Sequence, residues 1–248
     1  MENQVSVETA AMSLSDKVMN VFASPSELFD SVAKSEKQAS NYVIPLLLSI
    51  IVGVVFTFVV FSQPAIQNQM QEQQMKGFKK QITERKITQE QMEKAMEYSK
   101  PGSPIFLIFG AGGVIVVNIL MLYLFALGFL LIGKFGFKST ASYGKHVEVV
   151  GLGMYVMVVS SLITMAMVVA MGSLHASPSL ALFVSNFDPM NTMHKVLSAV
   201  NILTFWYLAV VAIGMSKLWN VSTAKAIAGV GGAWVVWTAI TTQLSFGM

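Results

Sequence analysis

The chain of 248 residues contains no cysteine and few charged residues. The lack of cysteine excludes disulfide frameworks, thiolate metal sites and cysteine nucleophiles. Charged residues make up 12% of the chain, roughly half the share that a soluble domain carries. The net charge of +3 is small, and the basic residues are interspersed with acidic ones. We therefore expect no binding to nucleic acid.

Long hydrophobic runs fill most of the sequence, and apolar residues make up 54% of it. Five runs contain no charged residue: 43–61, 105–132, 149–171, 196–215 and 226–248. Each run is close to the ~20 residues that an α-helix needs to cross a hydrocarbon core of ~30 Å. Lipid offers no partner to backbone N–H and C=O groups, whereas a helix pairs them within one segment. The runs predict an all-α, polytopic integral membrane protein: a bundle of five transmembrane helices.

Two polar regions carry most of the charge. We interpret 1–41 as an N-terminal amphipathic segment and 42–248 as one membrane domain, with a polar helical insert at 64–104. The insert holds seven Lys or Arg residues and five Glu residues. Thr88, followed by Gln91 three residues later, predicts a capped helix within it, so we expect a helical hairpin or a bent helix near the membrane surface. This insert is either a partner surface or a solvated spacer.

The N-terminal segment has the pattern of two short amphipathic helices. Their apolar residues recur at helical spacing: Leu14, Val18, Val21 and Phe22, then Leu28, Phe29 and Val32. The motif Ser24-Pro25-Ser26-Glu27 predicts the start of the second helix, with Ser24 as its cap. Such helices either lie flat at the headgroup boundary or pack under the bundle. The segment lacks the features of a cleavable signal peptide.

The orientation in the membrane depends on where Lys and Arg residues fall. With the N-terminus inside, each side of the membrane carries eight of them. Short connections near the ends of spans weigh most, and 133–146 and 216–225 are more basic than 172–195. We therefore predict a cytoplasmic N-terminus and an external C-terminus, in a cell inner membrane of prokaryotic type.

Polar side chains in or next to the spans are candidates for function. His146 and Glu148 lie at the start of the third span, where we expect a solvated helix end; a gating pair is the alternative. Asn118 in the second span and Asn201 in the fourth are predicted to be buried. Hydrogen bonds between helices, worth about 0.6–2 kcal/mol, are their expected role, and contact with a transported solute is the alternative.

Small residues recur within several spans and predict close helix packing in the bundle interior. They are Gly110 to Gly113, Gly151 and Gly153, and the series Ala224, Ala228 and Gly232. Homodimerisation through the last face is the alternative. Trp219, which we place in a connection, is predicted to lie in the interfacial aromatic belt.

Catalytic and metal-binding patterns are not found in the sequence. His175, Asp188 and His194 share one connection, but their spacing matches no zinc signature, and Asp188-Pro189 predicts the start of a turn or a helix. The chain contains no nucleotide-binding or hydrolase motif. We predict no catalytic, cofactor-binding or metal site, no cofactor and no enzymatic activity.

Several segments resemble the Yip family of Ypt-interacting proteins, in its bacterial branch. The segments are 24–29 with Pro45 in the first span, 135–140, Phe187-Asp188-Pro189, 201–208, 212–215 and 221–226. The resemblance implies five spanning helices, a cytoplasmic N-terminus and no enzymatic activity. Eukaryotic members of the family act in vesicle trafficking and bind Rab-type GTPases. This chain has a short N-terminal region without their acidic motifs, so no functional residue carries over.

The expected function is therefore that of a non-enzymatic membrane protein that binds partners or organises the membrane. Its expected partners are the lipid bilayer, other membrane or membrane-associated proteins, and a second copy of the chain. The alternative is a permease or channel for a small neutral or lipidic solute, with Asn118 and Asn201 lining the path.

Overall fold

A computed structural model describes residues 12–84 and 86–243. Within these ranges the chain is helical, and its β-pairing is an isolated antiparallel bridge between Ser179 and Asn201. The predicted all-α class is confirmed. Residues 1–11 of the N-terminal segment, Arg85 of the insert and residues 244–248 of the last apolar run lie outside the described part.

The described residues form ten α-helices. In chain order they are α1 (Leu14–Ala23), α2 (Pro25–Lys34), α3 (Ser40–Phe61), α4 (Pro64–Thr83), α5 (Gln89–Tyr98), α6 (Pro104–Leu131), α7 (Tyr143–Met171), α8 (Thr192–Ala199), α9 (Ile202–Trp219) and α10 (Thr223–Gln243). A π-helical segment, Ile132–Gly136, continues α6, and a 3-10 turn, Leu180–Phe183, precedes α8.

Five of these helices are long and apolar enough to cross a membrane: α3, α6 with its π-helical extension, α7, α9 and α10. This confirms the predicted number of spans. Two spans differ clearly from the charge-free runs: α7 already begins at Tyr143, and α9 is shifted to Ile202–Trp219. Capping groups and packing determine where a helix ends, and the limits of a charge-free run contain no information about either.

Helix α7 is the centre of the bundle. It packs against α3, α6 and α9, and α10 packs against α9. Every residue from His146 to Val156 on α7 is buried. At Gly151 a Cβ atom would lie 2.4 Å from Tyr42 Cβ and 2.9 Å from the Asn41 carbonyl oxygen. The small residue therefore permits the close approach of α3, as predicted for this span.

The small residues of the last span do not line the bundle interior, so that prediction is wrong. Ala224, Ala228 and Gly232 are exposed. Helix α10 instead packs through another face, which includes Ala226, Val230 and Gly229. The rings of Trp219 and Phe137 approach Gly229 and select that face. Small residues occupy both sides of α10, so their spacing alone could not identify the packed side.

The two N-terminal helices pack against the bundle, in agreement with one of the two alternatives. Leu28 and Phe29 of α2 are buried against α9 and α7, and Val21 of α1 joins the same core. Helix α2 begins at Pro25 as predicted, but the Ser24 side chain makes no capping bond. Ser24 also ends α1, where its N–H donates to the Asn20 carbonyl. The same residue is therefore the last flanking residue of α1 and the first of α2.

The polar insert forms a helical hairpin at the end of the bundle opposite α1 and α2. A hairpin is one of the two predicted forms. A capping box between Thr88 and Gln91 starts α5, which confirms Thr88 as the cap. Gln74 Nε2 on α4 donates to the Ser99 carbonyl just after α5, at 3.2 Å. A small core that includes Val60 of α3 and Val168 of α7 surrounds Ile66 and holds α4 against the bundle.

We predict that Gly151→Ala lowers the midpoint of thermal unfolding, because the added methyl group collides with the α3 backbone. Overpacking of a core typically costs about 1–3 kcal/mol. The control is Gly112→Ala on α6, where a Cβ meets no atom within 4 Å; alanine should stabilise that exposed helix position by up to about 1 kcal/mol. Tryptophan fluorescence of the detergent-solubilised protein measures both midpoints. Equal midpoints for the two variants would contradict the close approach.

Candidate functional site

A buried polar network lies where α1 and α2 meet α3 and α7. Its centre is Glu148, whose side chain is fully buried. The prediction of a solvated helix end is therefore wrong for this residue. Glu148 Oε1 accepts hydrogen bonds from the Gln38 backbone N–H and, at 3.3 Å, from Asn41 Nδ2. Glu148 Oε2 forms an ion pair with Lys145 Nζ at 2.9 Å.

Two lysines complete this network, which consists of Lys17, Gln38, Asn41, Lys145 and Glu148. Lys17 is 6% exposed, and its Nζ donates to Asn41 Oδ1 at 2.8 Å and to Gln38 Oε1. Burial lowers the pKa of Lys17, and the Glu148 carboxylate opposes this effect. The network joins α1, the α2–α3 connection, α3 and α7. Each charge in the network is shielded from water and paired. Removing one partner therefore leaves another charge without compensation.

Lys145 also fastens the connection after α2. Its Nζ donates to the carbonyl of Val32 at 2.7 Å and to that of Glu36 at 3.1 Å. These carbonyls belong to the last turn of α2 and the residues after it. Carbonyl groups at the end of a helix have no partner within the helix, and a nearby cation stabilises them. One ammonium group therefore links the end of α2 to the Glu148 carboxylate.

His146 is a core histidine, which corrects the second half of the solvated-end prediction. It is fully buried, and its Nδ1 lies 2.9 Å from the Ser142 carbonyl oxygen. Trp219 Nε1 lies 3.2 Å from His146 Nε2. An indole N–H can only donate, so Nε2 accepts and the proton of a neutral ring is on Nδ1. The side chain thus joins α9 to α7.

Trp219 lies in α9 rather than in a connection, and it is 2% exposed. Its ring stacks on Phe137, with the centroids 5.1 Å apart. The prediction of an interfacial position is therefore wrong. Trp219 bonds to His146, 73 residues away along the chain, and Glu148 bonds to Gln38, 110 residues away. No local pattern in the sequence signals such a pairing.

The two asparagines differ in role. Asn118 bonds between helices as predicted, because its Oδ1 accepts from Ser49 Oγ of α3 at 2.8 Å; its Nδ2 donates to the Val114 carbonyl at 2.9 Å. Asn201 precedes α9, and its Oδ1 accepts from the Leu203 N–H at 2.9 Å. The interhelical role predicted for Asn201 is therefore wrong. A capping asparagine uses its side chain on its own helix.

The connection between α7 and α9 brings His175 and His194 to the same aromatic ring. The centroid of Phe187 lies 4.1 Å from that of His175 and 5.5 Å from that of His194. His194 Nδ1 accepts from the Asp188 N–H at 2.9 Å, and Asp188 Oδ1 accepts from the Met190 N–H at 2.9 Å. Asp188 starts a turn, which is one of the two predicted forms: the Asn191 N–H donates to the Asp188 carbonyl at 3.1 Å. Across the described ranges, no three histidine or acidic side chains are grouped as metal ligands.

Helix α4 docks on the residues that follow α7. Gln69 Nε2 donates to the Gly172 carbonyl at 2.6 Å, and the Leu174 N–H donates to Gln69 Oε1 at 3.2 Å. Gln73 Nε2 lies 3.1 Å from His175 Nε2 and donates to it. We call α4 and α5 together the platform. Its exposed residues on α4 include Asn68, Glu72, Lys76, Lys79 and Thr83.

The spacing of these residues, three to four apart, places them on one face of α4. Gln69 and Gln73, which dock the helix, lie at the border of that face, because Lys76 follows them by seven and three residues. The platform is thus attached through uncharged amides and presents its charges to the surroundings.

Comparison with protein-family models gives a match to the model described as the Yip1 domain, over residues 19–242. The match includes part of α1, all of α2 and the five spans. Neither a curated protein nor a solved structure matches the chain.

We predict that Glu148→Gln lowers the free energy of unfolding by about 3 kcal/mol, because it leaves the buried Lys17 and the partly buried Lys145 without their carboxylate. The matched control is Glu90→Gln. The Lys94–Glu90 pair is as short, at 2.8 Å, but both side chains are mostly exposed, and such pairs contribute at most about 1 kcal/mol. Chemical unfolding in detergent measures both values.

Limited trypsin digestion after Lys34 and Lys37 gives a second readout. We expect Glu148→Gln to accelerate this cleavage, because the α2–α3 connection loses its contacts with α7. Equal cleavage in the two variants would contradict the role of the carboxylate in holding α1 and α2.

We predict that the docking of α4 on the 172–176 connection weakens in acid. Burial lowers the pKa of His175, so the docked state favours the neutral ring and the undocked state binds more protons. The contribution is therefore complete above about pH 6.5 and declines as the pH falls from there towards the lowered pKa. Hydrogen exchange of this connection, corrected for intrinsic rates, measures the change. His175→Gln should remove this pH dependence, and its persistence in that variant would contradict the prediction.

Proposed function

Because the chain belongs to the Yip1 domain family, we propose that it binds partners or organises the membrane without catalysing a reaction. The family match and the five spans support a multi-pass membrane protein. We place it in a cell inner membrane, with α1 and α2 in the cytoplasm and the platform outside. A single span, α3, separates these two regions. The proposed partners are other membrane or membrane-associated proteins.

The observation that supports partner binding best is the fixed attachment of the platform. A solvated spacer needs no docking bonds, yet α4 is held by Gln69 and Gln73, and its hairpin partner is held through Gln74. Gln67 adds a bond from its Nε2 to the Phe61 carbonyl at 2.9 Å. A rigid surface binds with a smaller loss of conformational freedom than a flexible one. The charged face of α4 is thus well suited to a protein partner.

The transport alternative receives less support. It requires Asn118 and Asn201 to meet a solute, but both side chains are engaged in bonds of the fold. A second copy of the chain stays among the proposed partners, because the face of α10 with Ala224, Ala228 and Gly232 is exposed. Small residues on such a face permit close approach of another helix.

We predict that a photoreactive amino acid at position 76 or 79 forms protein adducts in cells. Both lysines lie on the exposed face of α4, within reach of any partner that sits on the platform. Mass spectrometry of the purified adducts identifies the partner. The matched controls are position 34, which is exposed on the other side of the membrane, and position 55, which faces outward within a span.

The expected result is a reproducible protein adduct from 76 and 79 that the two control positions do not give. Adducts with lipid alone, or none, would contradict a platform that binds protein, and solute flux in reconstituted vesicles would then be measured. A variant without residues 64–104 that inserts normally and keeps every partner would also contradict it.

A further inference from the structure

The π-helical end of α6 presents an aromatic ring and two lysines at the surface. Phe135 is 77% exposed, and Lys134 and Lys138 on either side of it are exposed as well. Within the described ranges, no hydrogen bond or ion pair involves the ammonium group of either lysine. Neither the ring nor the two charges are therefore used to hold the fold.

Phe135 ends the side of α6 that faces lipid. That side carries exposed leucines, which recur every three or four residues and so share one face: Leu120, Leu124, Leu127 and Leu131. Phe135 follows Leu131 by four residues, about one turn of the π-helical segment. The ring thus lies where the apolar face ends and the first charges begin, which is the level of the lipid headgroups.

Helix α10 brings a third lysine to the same place. Lys225 is exposed and lies one turn before Gly229 on the same side of α10. A Cβ atom at Gly229 would lie 3.1 Å from Phe137 Cε2, so the first turn of α10 adjoins the end of the π-helical segment. We call the resulting surface the basic patch; it consists of Lys134, Phe135, Lys138 and Lys225.

The helices that form the basic patch, α6 and α10, carry no acidic residue. From residue 105 to the end, the sequence contains two acidic residues, Glu148 and Asp188. Glu148 is buried in its own network, and Asp188 lies in the α7–α9 connection, at the opposite end of the bundle. Asp30 of α2 faces Lys34 and Lys217. The charge of the patch is therefore available to an anion from outside the protein.

The backbone of Lys138 is held in a conformation that lysine rarely adopts. Its φ angle is 55°, in the left-handed region. The next residue fixes this turn, because the Ser139 N–H donates to the Gly133 carbonyl at 2.9 Å and Ser139 Oγ donates to the Leu218 carbonyl at 2.9 Å. Glycine or asparagine adopts such a φ angle at lower cost. A lysine here is unfavourable for the turn, and this indicates that its side chain has a role outside the fold.

We propose that the basic patch binds an anionic phospholipid of the bilayer. Lys134, Lys138 and Lys225 contact the phosphate of its headgroup, and Phe135 contacts its acyl chains. A zwitterionic lipid carries an ammonium group that offsets its phosphate, so three lysines favour a lipid of net negative charge. The inference requires that the chain spans the membrane. It is independent of the side on which the patch lies and of what the platform binds.

The absence of native cysteine allows a single donor fluorophore to be attached beside the patch, through Leu131→Cys. The labelled protein is placed in phosphatidylcholine nanodiscs that contain a small share of phosphatidylglycerol with an acceptor on its acyl chain. A second set contains acceptor-labelled phosphatidylcholine at the same share. We expect more energy transfer from phosphatidylglycerol than from phosphatidylcholine, and we expect this preference to decline at high salt.

Substitutions at position 138 separate the charge from the fold. We expect Lys138→Asn to weaken the association with phosphatidylglycerol about fivefold, because it removes one of the three lysines. Asparagine tolerates the left-handed φ angle, so the midpoint of thermal unfolding should not fall. Lys138→Arg should keep the preference, and the double variant Lys134→Gln/Lys225→Gln should reduce it further than Lys138→Asn.

Two matched controls locate the effect. A donor at Ile108→Cys, which is exposed near the other end of α6, should show no preference for phosphatidylglycerol. Lys34→Gln removes a lysine that is already paired with Asp30, so the preference at position 131 should persist. Gel filtration verifies that each variant is folded.

Three results would overturn the proposal. The first is equal energy transfer from the two lipids in the unsubstituted patch. The second is a preference that stays unchanged in Lys138→Asn and in the double variant, or that is as strong at position 108. The third is displacement of the lipid by glycerol phosphate at an equal concentration, because the patch would then bind a free phosphate rather than a lipid. Loss of protein adducts at positions 76 and 79 would leave all of these measurements unaffected.

Discussion

The buried carboxylate of Glu148 is the constraint on which the N-terminal half of the structure depends. Removed from water, a carboxylate must be paired and hydrogen-bonded. Glu148 obtains its partners from the α2–α3 connection, from α3 and from its own helix: Gln38, Asn41 and Lys145. Lys17 brings α1 into the same network. The position of two helices thus follows from the needs of one buried charge.

This pairing makes α1 and α2 part of the membrane bundle rather than a tethered appendage. Their apolar residues share one core with α7 and α9. The polar network lies beside that core and links α1 and the α2–α3 connection to α3 and α7. Removing one partner of a buried pair costs far more than losing an exposed pair. The N-terminal helices should therefore leave the bundle only when the charges are changed.

Hydropathy predicted the five spans because the constraint behind them is local: in lipid, each segment must satisfy its own backbone. The turn at Asp188 and the cap at Thr88 followed from the same short-range chemistry. The burial of Glu148, His146 and Trp219 could not be predicted in this way. Apart from Lys145 and Ser142 on the same stretch of chain, their partners come from distant segments, and a charged residue at the edge of an apolar run looks solvated until those segments are in place.

The two ends of the bundle use different chemistry, and this difference bears on function. At the α1–α2 end, the charged side chains of Lys17, Lys145 and Glu148 hold the helices together. At the other end, Gln69 and Gln73 hold α4 with amide groups, which leave Lys76 and Lys79 at the exposed face. Surface charges contribute little to folding stability, but they steer encounters and select partners. In the proposed function, the platform is therefore the part of the chain where substitutions of charge alter partner binding without altering the fold.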